Sequence, residues 1–238
     1  MSITVENLVK TFSDVPVLRG LSFEVQEGEI FGFLGPNRAG KTTTIKIMAG
    51  LLRPTEGRVV LGGIDVLKGP IEAKRITGLV PDQPSLYEKL TGKEYLDMVA
   101  GLYQLKGKGY WARAEEYLQH LGLMEQADEL IENYSLGMKQ KLIFTGIFLR
   151  GPQIILIDEP MVGLDPKTSR LVKDVFRDSS KKGVTIFMST HTLSVAEEIC
   201  GRIGIIDNGN LVAAGTVDQL RKTSGIRGKL EEIFLKLT

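Results

Sequence analysis

The chain has a single cysteine, Cys200, among 238 residues, so no disulfide can form within it. Charge of one sign is also missing. Thirty Lys and Arg stand against 29 Asp and Glu, a formal net charge of +1. That balance excludes recruitment of nucleic acid or anionic lipid by overall charge and leaves only a local basic patch as an electrostatic handle. Long apolar runs are absent as well: a membrane-spanning helix needs roughly 20 mostly apolar residues, and the longest runs here, such as residues 154–157, are very short. Any membrane role is therefore expected to come through a partner. The opening MSITVENLVK has neither a basic nor a long apolar signal region, so the expected location is cytosolic. No internal repeat or low-complexity tract stands out. With 42% hydrophobic and 25% charged residues, the composition fits one large domain, or one core with a small subdomain, and is ample to bury a core.

Along the chain, residues 3–5 and 21–25 alternate in polarity around the turn-rich Ser13-Asp14-Val15-Pro16, which predicts antiparallel strands. Residues 30–34 read as a buried strand, followed by a Gly/Pro loop and a helix from Lys41 to Ala49. Further strands are expected at 58–61 and 77–80. From Thr91 the pattern turns helical: Thr91 and Glu94 form a capping box, with Leu96, Val99 and Tyr103 on one face. A second helix is expected over 111–121, and Ser135 is the expected N-cap of a third running to Leu149. The α/β alternation then resumes, with strands at 154–158 and 184–189, helices at 166–180 and 193–200, and a hairpin about Asn208-Gly209. Residues 221–229, rich in Gly, Lys and Ser, read as an irregular connection to a final helix.

Two elements carry chemistry. Gly35-Pro36-Asn37-Arg38-Ala39-Gly40-Lys41-Thr42 fits G-x-x-x-x-G-K-[ST] between a strand and a helix, so its backbone amides and the helix N-terminus suit phosphate, Lys41 adds charge and the Thr42 hydroxyl suits Mg²⁺. The apolar strand 154–157 ends in Asp158-Glu159, where Asp158 can hold Mg²⁺ through water and Glu159 can polarise the attacking water.

With these motifs in order, the sequence resembles the ATP-binding cassette of ABC transporters. The likeness also rests on Gln83 in Pro81-Asp82-Gln83-Pro84, on Ser135-Leu136-Gly137-Met138-Lys139-Gln140, on Gly163-Leu164-Asp165-Pro166 and on Ser189-Thr190-His191. Thr42-Thr43-Thr44 and the closing residues 230–237 look most like the separate ATPase subunits of drug, lipid or ion exporters. The resemblance implies an α/β fold, a P-loop NTPase core with a mainly parallel sheet, an N-terminal antiparallel β subdomain and a helical subdomain. Its expected limits are about 1–90 and 150–220 for the core with the β subdomain, about 91–149 for the helical part, and about 221–238 for a C-terminal tail. It further implies that ATP is bound by Gly35, Pro36, Asn37, Arg38, Ala39, Gly40, Lys41, Thr42 and Thr43, with Phe12 stacking on adenine. Mg²⁺ would be held by Thr42, Gln83 and Asp158, while Glu159, His191 and Lys41 are the implied catalytic set. Ser135 and Gly137 are implied to complete the pocket of an opposing copy, and Asp165 to lie on the crossing loop. The partners implied are a transmembrane permease and a second cassette, identical or different, with no direct nucleic acid; the location is cytoplasmic, on the inner face of the cell membrane.

Arg38 stands where the family usually has glycine, and Leu136 where the signature often has its first glycine. If residue 38 needs positive φ, arginine carries about 1–2 kcal/mol of strain there; nucleotide binding is still expected, and an Arg38→Gly variant at least tenfold tighter for ATP would reveal a compromised loop. Leu136 bears on dimer packing. Three other readings stay open at this stage: a switch acting on nucleic acid or ribosomes, an ATP sensor with weak hydrolysis, and a P-loop kinase, which would leave Ser135 and Gln83 without roles.

Overall fold

The computed structural model describes residues 1–105, 109–161, 163–226 and 228–238. They build two sheets. The first has four strands in the order β2-β1-β4-β5 and is antiparallel: β1 (Ile3–Phe12), β2 (Val15–Val25), β4 (Glu56–Leu61) and the short β5 (Ile64–Asp65). The second has the order β10-β9-β3-β8-β7-β6, with β3 (Ile30–Leu34) at its centre between β8 (Thr185–Thr190) and β9 (Arg202–Asp207), both parallel to it. Outside these lie β7 (Ile154–Asp158), β6 (Thr77–Val80) and β10 (Asn210–Gly215), which returns antiparallel from β9. Strands β3, β7 and β8 are buried throughout, and an unbroken apolar run rather than alternation is what a parallel sheet covered on both faces requires.

The chain divides into two compact units, Met1–Leu79 with Gln153–Pro160 and Phe176–Thr238, and Val80–Pro152 with Met161–Val175. In the first, Phe23, Phe31, Phe33 and Phe187 form a buried cluster with ring centroids 5.3–5.8 Å apart, and α1 (Lys41–Met48) adds Ile45, Ile47 and Met48 to the same core. Helices α2 (Pro70–Ile76), α7 (Leu193–Ile199), α8 (Val217–Ser224) and α9 (Leu230–Leu237) complete it.

The second unit is helical: α3 (Gly92–Leu102), α4 (Gly109–His120), two 3₁₀ turns and α5 (Leu136–Arg150), joined by the start of α6 (Pro166–Lys181). The capping box at Thr91 is formed, with the hydroxyl accepting from the Glu94 amide at 3.1 Å and the Glu94 carboxylate accepting from the Thr91 amide at 2.8 Å. Buried Leu96, Leu118, Leu142 and Tyr134 share one core. Tyr134 donates its hydroxyl to the Gln126 carbonyl at 2.6 Å. Burial pushes Tyr134 and Tyr95 up to about 12 from an ordinary 10.0. The folded chain therefore holds these two protons more tightly than the unfolded chain does, so stability is full below pH 10 and falls as pH rises towards 12. Urea midpoints at pH 7 and pH 11 should show that fall. Tyr134→Phe should lose about 1 kcal/mol at pH 7, the worth of its hydrogen bond, and make the alkaline decline shallower.

Two local expectations are corrected. Tyr103 does not share the apolar face of Leu96 and Val99: α3 stops at Leu102, and the Tyr103 ring is half-exposed with the Arg150 guanidinium 4.2 Å from its centroid. The stretch 221–229 is not irregular throughout, since residues 221–224 close α8, whose Thr216–Gln219 capping box and buried Leu220 set it up. Gly225 ends the helix in the left-handed region, and Arg221 binds the Gly228 carbonyl, Glu197 and Asp218. Arg227, in the same stretch, lies outside the described residues.

Candidate functional site

The register of the second sheet decides which loops meet. Leu34 pairs with Thr190 and Asp158 with Ser189, so the C-terminal ends of β3, β8 and β7 lie side by side. The loop 35–40, Thr190-His191 and Asp158-Glu159 thus emerge along one edge, the edge where an open parallel sheet binds ligands.

The loop is shaped by exclusion. A Cβ on Gly35 would sit 2.4 Å from the Ile206 carbonyl oxygen, and one on Gly40, whose φ is +110°, 2.5 Å from Leu18 Cδ2. Its outer side is braced by the hairpin turn Asn208-Gly209, where the Gly209 amide donates to the Ala39 carbonyl at 3.1 Å and the Gly209 carbonyl accepts from the Arg19 amide at 3.0 Å. Lys41 is buried, and its Nζ donates to the Gly35 and Pro36 carbonyls at 2.7 and 3.0 Å. Burial lowers the Lys41 pKa, while Glu159 and Asp158 act against that shift. Thr42 and Thr43 are half-buried at the start of α1, and Thr44 turns its hydroxyl back to the Gly40 carbonyl.

Asp158 is buried and accepts a short hydrogen bond from the Ser189 hydroxyl. Glu159 adopts φ +54°, a left-handed conformation that stores strain in a non-glycine residue. Its side chain, 17% exposed, is held from three directions: His191 Nδ1 at 2.8 Å, the Thr190 hydroxyl at 3.2 Å and the His191 amide at 3.4 Å. The ring nitrogen can hold a carboxylate only as an N–H donor, so Nε2 is left to face other groups. Ser189 and Thr190 are the residues that sequence reasoning missed. Their signal was the run Ser189-Thr190-His191 at the end of a strand, and it gains meaning only once β8 is seen beside β7.

Phe12 ends β1 opposite Val15 and is 44% exposed, which rules out a core role; Lys10 Nζ lies 4.8 Å from its ring centroid. Arg38 has φ +68°, so the strain anticipated for a non-glycine residue applies.

The other candidate residues belong to the helical unit. Gln83 is exposed in the segment before α3. Ser135 caps α5, its hydroxyl accepting from the Met138 amide at 3.3 Å. Gly137 lies against the loop at Gly163, where an added Cβ would come 2.4 Å from the Gly163 carbonyl, and Leu136, half-exposed, packs over the same glycine. Asp165 accepts from the Thr168 amide and hydroxyl at 2.9 and 2.6 Å, and these bonds hold its carboxyl below the usual range. No group of three or more His, Cys, Asp or Glu side chains that could hold a metal occurs among the described residues, and among them no helix is long and apolar enough to cross a membrane.

The sequence model of the family described as ABC transporter matches residues 18–162. The linearmycin resistance ATP-binding protein LnrL of Bacillus subtilis is 36% identical over 215 residues, spanning 90% of this chain and 69% of that protein. A solved structure described as the ATP binding subunit of an ABC transporter superposes with a TM-score of 0.95 at 34% identity, covering 100% of this chain and 99% of that one. The dimeric post-hydrolysis structure of the ATP-binding cassette MJ0796, bound to ADP and Pi, gives a TM-score of 0.80 at 25% identity over 90% of this chain and 98% of that one.

Proposed function

Because the chain belongs to the ABC transporter family, we propose that it is the ATP-binding and ATP-hydrolysing subunit of a transporter, driving export through a separate transmembrane permease. The observation that carries the reading is the single sheet edge on which the phosphate loop, Asp158-Glu159 and Thr190-His191 meet. The cradle suits a phosphate chain: no side chain fits at Gly35 or Gly40, so backbone amides can approach an anion closely, with Lys41 as the fixed cation. Phe12 offers an open aromatic face for adenine. The residues of the first unit also suit Mg²⁺ when phosphate oxygens share its coordination, with the Thr42 hydroxyl and, through water, Asp158 as donors; Gln83, in the helical unit, is a further donor only as the family resemblance implies. Bound there, Mg²⁺ would neutralise charge on the β- and γ-phosphates.

The remaining work falls to the chain. The Glu159 carboxylate takes the proton of the attacking water, and the Thr190 hydroxyl and His191 keep it aimed. With Nδ1–H committed to Glu159, His191 can donate Nε2–H to the γ-phosphate in its doubly protonated form, and Lys41 offsets negative charge on the transferred group. Two copies, or this chain with a different cassette, would close over two ATP, the Ser135–Gly137 turn of each completing the other's pocket. The assembly would sit on the cytoplasmic face of the cell membrane through the permease. The resistance named for LnrL supports export of a drug-like molecule as part of this proposal.

The test is phosphate release from purified protein with Mg-ATP, together with recovery of a hydrophobic permease when the chain is isolated from membranes. Lys41→Met should weaken ATP binding by about tenfold or more, the worth of a charged hydrogen bond, measured by calorimetry. Absence of ATP binding in the unsubstituted protein would refute the reading.

A further inference from the structure

Arg38 is the one cation of the phosphate loop besides Lys41, and it is held there under strain. Its φ of +68° is a conformation that glycine adopts freely and arginine does not. The rest of the loop is fixed without it: Gly35 and Gly40 are sterically required, the Ala39 carbonyl is bound by Gly209, and Lys41 ties the Gly35 and Pro36 carbonyls. Arg38 is exposed, and among the described residues its side chain makes no hydrogen bond or ion pair. Of the other described arginines of the same unit, Arg58, Arg177, Arg202 and Arg221 each bind a carboxylate, whereas Arg19, Arg53 and Arg75, like Arg38, do not. The fold thus tolerates a strained residue whose guanidinium it does not use, and strain of this kind is stored at functional sites.

We infer that Arg38 is a substrate-binding residue, its guanidinium supplying a second positive charge to the phosphate chain of the bound nucleotide. This rests on the reading of the loop as an ATP site. A planar guanidinium can pair with two phosphate oxygens at once, which a lysine at the same position cannot reproduce. Lys41 is buried with its Nζ on the Gly35 and Pro36 carbonyls, whereas Arg38 is exposed and its guanidinium is uncommitted.

The experiment measures binding of Mg-ATP and of inorganic tripolyphosphate to the unsubstituted protein and to Arg38→Gln, Arg38→Lys and Arg38→Gly. Arg38→Gln keeps the β-carbon and loses the charge; it should bind both probes about five- to tenfold more weakly, between the effects of an exposed ion pair and a buried charged hydrogen bond. Arg38→Lys should fall between the two. Arg38→Gly should lose affinity like Arg38→Gln while melting at a higher temperature, because its backbone strain is gone. Melting curves without ligand identify any variant that is merely unfolded. Arg38→Gln binding within twofold of the unsubstituted protein, or Arg38→Gly binding ATP tenfold more tightly, overturns the inference and leaves the ATP site standing. Failure of the unsubstituted protein to bind either probe overturns both.

Discussion

Glu159→Gln should bind Mg-ATP within a few-fold of the unsubstituted protein and lose steady-state phosphate release by about 10²–10⁴, the range for removing a general base. The carboxylate is held by His191 Nδ1, the Thr190 hydroxyl and the His191 amide. A glutamine oxygen can keep part of that set, so the side chain should stay in position, but its NH₂ faces a donor where the second carboxylate oxygen accepted a hydrogen bond. An amide cannot take a proton from water at neutral pH. The ATP-bound dimer should then persist, visible as a stable species in size-exclusion chromatography with ATP. Ordinary turnover in this variant would remove Glu159 from the role of base and leave the strained φ of +54° without a catalytic purpose.

Gly35→Ala should damage binding, with ATP affinity falling by about tenfold or more, the worth of a charged hydrogen bond between the loop amides and phosphate. The added methyl would lie 2.4 Å from the Ile206 carbonyl oxygen and 2.7 Å from its Cγ2. Ile206 belongs to β9, which pairs with β3 at the centre of the sheet, so the loop must yield. Overpacking of this kind also costs about 1–3 kcal/mol of stability, readable as a lower urea midpoint. Gly101→Ala is the matched control: its Cβ meets nothing within 4 Å and it lies inside α3. Alanine there should stabilise by about 0.5–1 kcal/mol and leave ATP binding unchanged.

Local chemistry in the sequence was enough for elements whose signals are short-range. The Asn208-Gly209 turn, with both residues at positive φ, the Thr91 capping box and the buried strand before the phosphate loop all appear where residue type alone points. Helix α8 was not read from the sequence, although Thr216 and Gln219 form a capping box, because the Gly, Lys and Ser residues that follow obscured it. Helix α2 was likewise not read, although it begins at Pro70, a residue favoured in the first helical turn. Long-range pairing was not legible. Asp158 and Ser189 are 31 residues apart, and only the parallel register of β7 with β8 makes Ser189 and Thr190 partners of the two carboxylates. The left-handed backbone of Glu159 had no signal, since glutamate is an ordinary residue in ordinary conformations. For Arg38 the sequence supplied the condition and the structure its sign.

The central strand β3 ends at Leu34, yet both of its neighbours come from the far end of the chain, β8 beginning at Thr185 and β9 at Arg202. During synthesis the phosphate loop is therefore made early and remains unsupported until the ribosome has passed Asp207. Closing so long a connection is entropically slow, and the exposed edges of β3 would meanwhile invite pairing with other chains. Nascent chains stalled between Pro152 and Thr185 should accordingly depend on chaperones, whereas those released after Gly215 should not.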